Sequence, residues 1–266
     1  MHGIGSKDGD RVVEWGGTSA DYAMHRPSYP PSFFSKLAAL GVGRPGQKIL
    51  DLGTGTGFLA LQFARQGCRV AGVDISAGQI EQARRLAADE GLSARFEVAA
   101  AEDLKSLSGP FDYVTAGQSW LYFDRNVVIP LVKKLLAPGG CLVTCHFCWL
   151  PRLDAIARES ERLVLRHNPD WTAGDWSGRV PAEPAWTRGH FRLIGFFCYD
   201  DAIPFTREGW RGRIRACRGV GATMSAADVR RFDEEHDRLL ARIAPDEFTV
   251  LHRIDAHILE PIREEA

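Results

Sequence analysis

The chain lacks an excess of charge of either sign: 33 Lys and Arg stand against 34 Asp and Glu, a formal net charge of -1 over 266 residues. A protein that grips duplex nucleic acid draws much of its affinity from a basic surplus that neutralises phosphates, so no nucleic acid partner is expected. Also lacking is any uninterrupted apolar run of membrane-spanning length. Residues 1–10 are Gly-rich and polar, without the apolar stretch of a secretory signal. The six cysteines (Cys68, Cys141, Cys145, Cys148, Cys198, Cys217) are scattered through apparent strands and helices rather than laid out as a disulfide framework, which suits a reducing compartment. These absences lead to the expectation of a soluble, cytoplasmic protein with no membrane partner. No internal repeat or low-complexity segment is visible. What remains is ordinary globular composition, 45% hydrophobic and 25% charged, enough to bury a full core.

Residues 47–147 alternate between two periods. Short apolar runs at 48–52, 69–74, 95–98, 111–115 and 141–147 read as strands. Between them, 58–66, 77–90 and 126–136 read as helices, the last closing at Pro138-Gly139-Gly140. This alternation predicts βαβ units and a parallel sheet covered on both faces. Beyond residue 148 the pattern weakens. Helical spacing returns at 153–167, 207–218 and 225–244, strand-like material at 192–205 and 248–259, and a Trp-, Pro- and Gly-rich tract fills 168–189. The expectation is one α/β domain, doubly wound and Rossmann-like. It would have seven mostly parallel strands, an antiparallel last strand and a helical cap. Residues 20–147 would form the ligand-binding core, 148–245 mostly cap and substrate-binding insertions, and 246–260 the last strand.

Chemistry concentrates at one turn. Gly53, Gly55 and Gly57 lie between the first strand and the first helix, where backbone can approach a ligand and helix amides can face it. Asp74 ends the next strand, at the position where a carboxylate can hold ribose hydroxyls. The spacing is Gly-x-Gly-x-Gly, and Phe58 stands where a dinucleotide fingerprint needs its third glycine. A nicotinamide oxidoreductase therefore fits less well.

Five motifs fall in order: Asp51-Leu52-Gly53-Thr54-Gly55-Thr56-Gly57, Gly72-Val73-Asp74-Ile75-Ser76, Ala101-Glu102-Asp103-Leu104, Phe111-Asp112-Tyr113-Val114 and Leu136-Ala137-Pro138-Gly139-Gly140. Together they resemble the class I S-adenosylmethionine-dependent methyltransferases. The likeness is to the small-molecule members, such as the trans-aconitate enzymes and the type 11 or 25 group. The resemblance implies S-adenosylmethionine as cofactor. Asp51 would hold the donor's ammonium group, and Gly53, Thr54 and Gly55 would line its methionine portion. Asp74 would bind the ribose, with Ile75 packing on the adenine. Ala101 and Glu102 would meet the adenine edge, with Gln118 near the methyl donor. Gln79 and Asp103 complete the implied donor site. Tyr22 and Arg26, in a stretch like the family's N-terminal segment, would fold over it. Many relatives have Asp where this chain has Ala100, which shifts adenine contact toward backbone.

The acceptor is expected to be a small molecule, methylated on oxygen, nitrogen or carbon. The Asn-Pro-Pro-Tyr signature of amino-methylating enzymes is missing after the fourth strand, and Ala116 to Asp124 stands in its place. Trp120, Tyr122 and Trp149 would give an aromatic lining or simply anchor irregular chain. His146, at the carboxyl end of the fifth strand, and His25 are candidate general bases; a structural histidine is the alternative for each. Arg207, Arg211, Arg215 and Arg218 repeat at helical spacing with only Glu208 nearby. They form either an anion-binding stripe or a solvated face. Cys141-x-x-x-Cys145-x-x-Cys148 has the spacing of an iron–sulfur motif, but an extended strand would point Cys148 away from the other two. No metal is expected. Two rivals remain, a nucleotide-binding oxidoreductase and an S-adenosylmethionine-binding protein without turnover.

Overall fold

The computed structural model describes residues 7, 8, 11–13, 24, 25 and 27–263. Two short strands, β1 (Lys7–Asp8) and β2 (Arg11–Val12), pair antiparallel. Helix α1 (Pro31–Ala39) precedes β3 (Lys48–Leu52), whose last four residues are all buried. A run buried on both faces belongs inside a covered parallel sheet. The chain continues through α2 (Phe58–Arg65), β4 (Arg69–Asp74), α3 (Ala77–Asp89), β5 (Ala94–Val98), β6 (Phe111–Gly117), α4 (Arg125–Leu135) and β7 (Leu136–Trp149). Then come α5 (Ala155–His167), β8 (Phe191–Thr206), α6 (Arg207–Arg215), α7 (Ala226–Ile243) and β9 (Glu247–Pro261).

Seven strands form one sheet in the order β5-β4-β3-β6-β7-β9-β8, with β3 through β7 parallel and the final strands antiparallel. This is the doubly wound α/β sheet expected from the sequence. After β3 the chain moves outward through β4 and β5, then returns to place β6 on the other side of β3. The strand order therefore reverses between β3 and β6. Crevices at the carboxyl ends of strands flanking such a reversal are where open α/β sheets bind ligands.

By packing, the chain divides into two compact units. One comprises the described residues of Ser28–Phe147, Val180–Cys198 and Ile254–Ala266; the other those of Met1–Pro27, Cys148–Arg179 and Tyr199–Arg253. In the first, Leu50, Leu52, Val73, Val114, Trp120, Val128 and Leu142 share a buried cluster. In the second, Trp210 is fully buried and donates its indole N–H to Ser160 at 2.9 Å; Ser160 also lies 3.0 Å from His236. Burial holds that imidazole neutral, with its pKa lowered to about 3.

One sequence expectation needs correction. The α4 helix does not close at Pro138-Gly139-Gly140 but at Leu135, and Leu136 already pairs with Phe111 across β6 and β7. The Pro-Gly-Gly stretch lies inside β7. A Cβ on Gly140 would come within 2.9 Å of the Phe111 carbonyl oxygen, so glycine serves close strand approach there.

Candidate active site

The turn after β3 is built from backbone that side chains disfavour. Gly53 (φ +62°), Gly55 (φ +58°) and Gly57 (φ +84°) are all left-handed. At Gly53 there is no space either, because a Cβ would lie 2.5 Å from the Cβ of Ser119. Ser119, just past β6, donates its hydroxyl to the Leu52 carbonyl at 2.6 Å. The two loops at the strand-order reversal are thus stitched together. Gly57 is the N-cap of α2 and supplies no side-chain cap, whereas α3 to α7 are capped by Ser76, Asp124, Asp154, Thr206 and Ser225.

Asp74 ends β4 half-buried. Its Oδ2 accepts from the Gly55 N–H at 2.9 Å and its Oδ1 from the Ser76 N–H at 2.9 Å. Burial raises its pKa, and backbone bonds from Ser76, Gly55 and Ile75 oppose that rise. Ile75 beside it is 65% exposed, an apolar side chain presented to solvent next to a carboxylate. Asp51 is buried and receives the Thr115 hydroxyl on Oδ1 at 2.6 Å. Burial pushes its carboxyl up to about 6, against the Thr115 hydrogen bond and with the help of the Asp74 charge.

Two buried polar atoms around this turn, Thr56 Oγ1 and Gln79 Oε1, have no hydrogen-bond partner among the described residues. Buried polar groups without partners are uncommon. Ala101 is buried, while Glu102 is half-buried and accepts from the Asp124 N–H at 2.9 Å, joining the segment after β5 to the start of α4. Asp103 is exposed and pairs with Lys105 at 3.3 Å.

Gln118 follows β6 with φ +64°. Its N–H donates to the Cys145 carbonyl at 2.8 Å and its side-chain amide to the Phe147 carbonyl. It therefore grips both neighbours of His146. The His146 side chain is 32% exposed, and its Nδ1 lies 3.0 Å from Oδ2 of Asp255, which is fully buried. Asp255 escaped the sequence reading. The available signal was a lone carboxylate between apolar neighbours, Ile254-Asp255-Ala256, in the middle of a strand.

The other candidates have mixed surroundings. Trp120 is 3% exposed, packed in the core cluster with its ring 4.9 Å from Trp186. Tyr122 is half-buried on the short turn Trp120–Tyr122. In the second compact unit, Trp149 donates to Glu161 at 2.6 Å, and the Arg213 guanidinium sits 4.7 Å above its ring. His25 abuts Gly212 of α6, where an added Cβ would collide with the imidazole. Tyr22 and Arg26 lie outside the described residues.

The arginine stripe differs from the sequence picture of Glu208 as its only acidic neighbour. Arg207 pairs with Asp246. Arg211 pairs with Asp233 at 2.5 Å and Asp237 at 2.8 Å, and Arg215 with Asp233 at 2.7 Å. Carboxylates distant in sequence already answer the charges of Arg207 and Arg211, which removes the reason to read them as an open anion site. No disulfide joins the six cysteines, and among the described residues no three His, Cys, Asp or Glu side chains gather as a metal site.

A family described as a methyltransferase domain matches residues 49–140. The chain is 29% identical over 173 residues to a ubiquinone biosynthesis O-methyltransferase from Xanthomonas axonopodis pv. citri, covering 64% of this chain and 70% of that protein. It is 35% identical over 133 residues to a like-named protein from Caulobacter sp., covering 49% of this chain and 52% of the relative. Its fold matches that of an S-adenosylmethionine-dependent methyltransferase from Geobacter sulfurreducens, solved with S-adenosylhomocysteine. That match has a TM-score of 0.53 at 19% identity and covers 92% of this chain and 96% of the other. The family match spans the same strands and loops that carry the ordered motifs, and the sheet has the matching fold. Residues 49–140 are thus similar to a methyltransferase domain, set in a sheet with the fold of S-adenosylmethionine-dependent methyltransferases.

Proposed function

We propose that this protein is an S-adenosylmethionine-dependent methyltransferase that methylates a hydroxyl group of a small molecule, with His146 as the general base. The observation that carries the base assignment is Gln118. Its backbone and side chain hold the carbonyls on either side of His146, fixing a partly exposed imidazole at the carboxyl end of β7. The hydroxyl is favoured because the relatives at 29% and 35% identity carry the name O-methyltransferase.

The residues present suit the donor. Thr56 and Gln79 each offer a buried polar atom without a partner among the described residues, and the three left-handed glycines let backbone come close to a ligand without side chains in the way. Asp74 would hold the ribose, Ile75 would pack on the adenine, and Asp51, Gly53 and Gly55 would take the methionine portion. Ala101, Glu102 and Asp103 follow the strand next to that adenine position, while Gln118 lies where the methyl group is delivered. When bound, S-adenosylmethionine supplies an electrophilic methyl group on a sulfonium sulfur, so positioning and exclusion of water can carry much of the rate.

The chain's own task is proton management. A hydroxyl must lose its proton as its oxygen is alkylated, and His146 accepts that proton. Buried Asp51 and half-buried Asp74 keep negative charge close to a cationic ligand. The test is incubation of purified protein with isotopically labelled donor and a metabolite extract. The expected result is label in an O-methyl group of a small product. Labelling of nitrogen or carbon alone would overturn the hydroxyl assignment. Binding of S-adenosylhomocysteine without any transfer would favour a binding protein over an enzyme.

A further inference from the structure

A carboxylate buried in apolar surroundings is costly unless charge or hydrogen bonds answer it. Asp255 on β9 is fully buried, and its Oδ1 has no hydrogen-bond partner among the described residues. Its Oδ2 faces two imidazoles, His146 Nδ1 at 3.0 Å and His257 Nδ1 at 3.6 Å.

The two contacts are not equivalent. His257 Nε2 lies 2.9 Å from the Pro181 carbonyl oxygen, which only accepts, so that nitrogen must carry a proton. Burial lowers the pKa of His257 and so favours the neutral ring. In a neutral ring protonated at Nε2, Nδ1 carries a lone pair and cannot donate to Asp255. The 3.6 Å separation is also too long for a hydrogen bond. The carboxylate is therefore directed at His146 alone.

We propose that Asp255 is the positioning residue for His146, holding it in the Nδ1–H tautomer so that the Nε2 lone pair is free to take a proton. This rests on the reading of His146 as the base. Nδ1–H donates to Asp255 Oδ2, and the acceptor's proton is taken at Nε2. The imidazolium so formed is stabilised by the same carboxylate.

The test is histidine ¹⁵N–¹H correlation spectroscopy on the full chain saturated with S-adenosylhomocysteine, with the His146 signals assigned by their loss in His146→Gln. The Nδ1–H tautomer is expected in about tenfold or greater excess, the scale of a hydrogen bond to a charged group. Asp255→Asn should abolish that bias, because an amide can donate as well as accept, whereas His257→Phe should leave it intact. An Nε2–H tautomer in the unaltered protein, or an unchanged ratio in Asp255→Asn, would overturn the proposal. A change in His257→Phe would overturn the claim that Asp255 serves His146 alone. If Asp255→Asn fails to fold, judged by calorimetric binding of S-adenosylhomocysteine, the first and third measurements still decide. Full turnover by His146→Gln would instead remove the base reading while leaving the tautomer result standing.

Discussion

Asp74 reaches back nineteen residues to accept the Gly55 N–H at 2.9 Å, so the side chain proposed to hold the ribose also fixes the glycine turn. The carboxylate has two roles that substitution can separate. Asp74→Ala removes both and should weaken S-adenosylhomocysteine binding by about 1–3 kcal/mol, the scale of a lost charge-assisted hydrogen bond. Asp74→Asn keeps an acceptor for Gly55 but loses the charge, and should fall between the two. Calorimetric titration decides: an affinity unchanged in Asp74→Ala would remove the residue from the donor site.

Asp51 makes the ligand-free protein sensitive to pH. Its carboxyl is raised by burial from an ordinary value near 3.8 to about 6. Below the ordinary value it is protonated in both folded and unfolded chains and weakens neither. As pH rises toward about 6 the unfolded chain releases the proton while the folded chain retains it, so stability is lost. Above about 6 the loss is complete, on the order of 3 kcal/mol. Asp51→Asn can still accept the Thr115 hydroxyl, and should raise the melting temperature at pH 8 with little gain near pH 4. The same substitution should weaken donor binding at pH 8, where the wild-type carboxylate is charged. Equal melting temperatures at pH 8 would contradict the buried-carboxylate account.

The glycine turn and the carboxylate beside it were legible because their determinants are local. Gly53, Gly55 and Gly57 announce left-handed backbone, and Asp74 and Ile75 stand one strand further on at a spacing set by a βαβ unit. The rest depends on long-range pairing that periodicity does not encode. Asp255 meets His146 across 109 residues and Arg211 meets Asp233 across 22, and neither partner carries a local mark of the other. Trp120 shows the same limit. An aromatic after a strand end can line a pocket or fill a core, and its burial against Trp186 is decided by a segment more than sixty residues away. The Pro-Gly-Gly stretch misled for a related reason, since a helix stop and a tight strand approach call for the same residues.

Gly53→Ala probes the joint between the two loops. The new methyl group would meet Ser119 at 2.5 Å from a left-handed backbone, so it carries both a clash and a conformational cost. The expected result is a loss of at least about 1 kcal/mol in unfolding free energy, with donor affinity reduced more than stability alone accounts for. Gly139→Ala is the control, because it too has positive φ but nothing within 4 Å of the added group. Equal donor affinities in the two variants would show that the Gly53–Ser119 contact does not shape the turn.

Arg211→Ala distinguishes a structural stripe from an acceptor site. Arg211 and Arg215 both bond Asp233, and these bonds outweigh the effect of burial and hold its carboxyl below the ordinary range. A carboxyl lowered in this way contributes stability above its unfolded value, and that stability is lost as pH falls through the lowered one. Arg211→Ala should therefore cost about 1 kcal/mol at neutral pH and less at acid pH. A double-mutant cycle with Asp233→Ala should recover most of that difference as coupling between the pair. Donor affinity should not change. If stability held and the Michaelis constant for an acidic acceptor rose instead, the guanidinium would be serving substrate rather than joining α6 to α7.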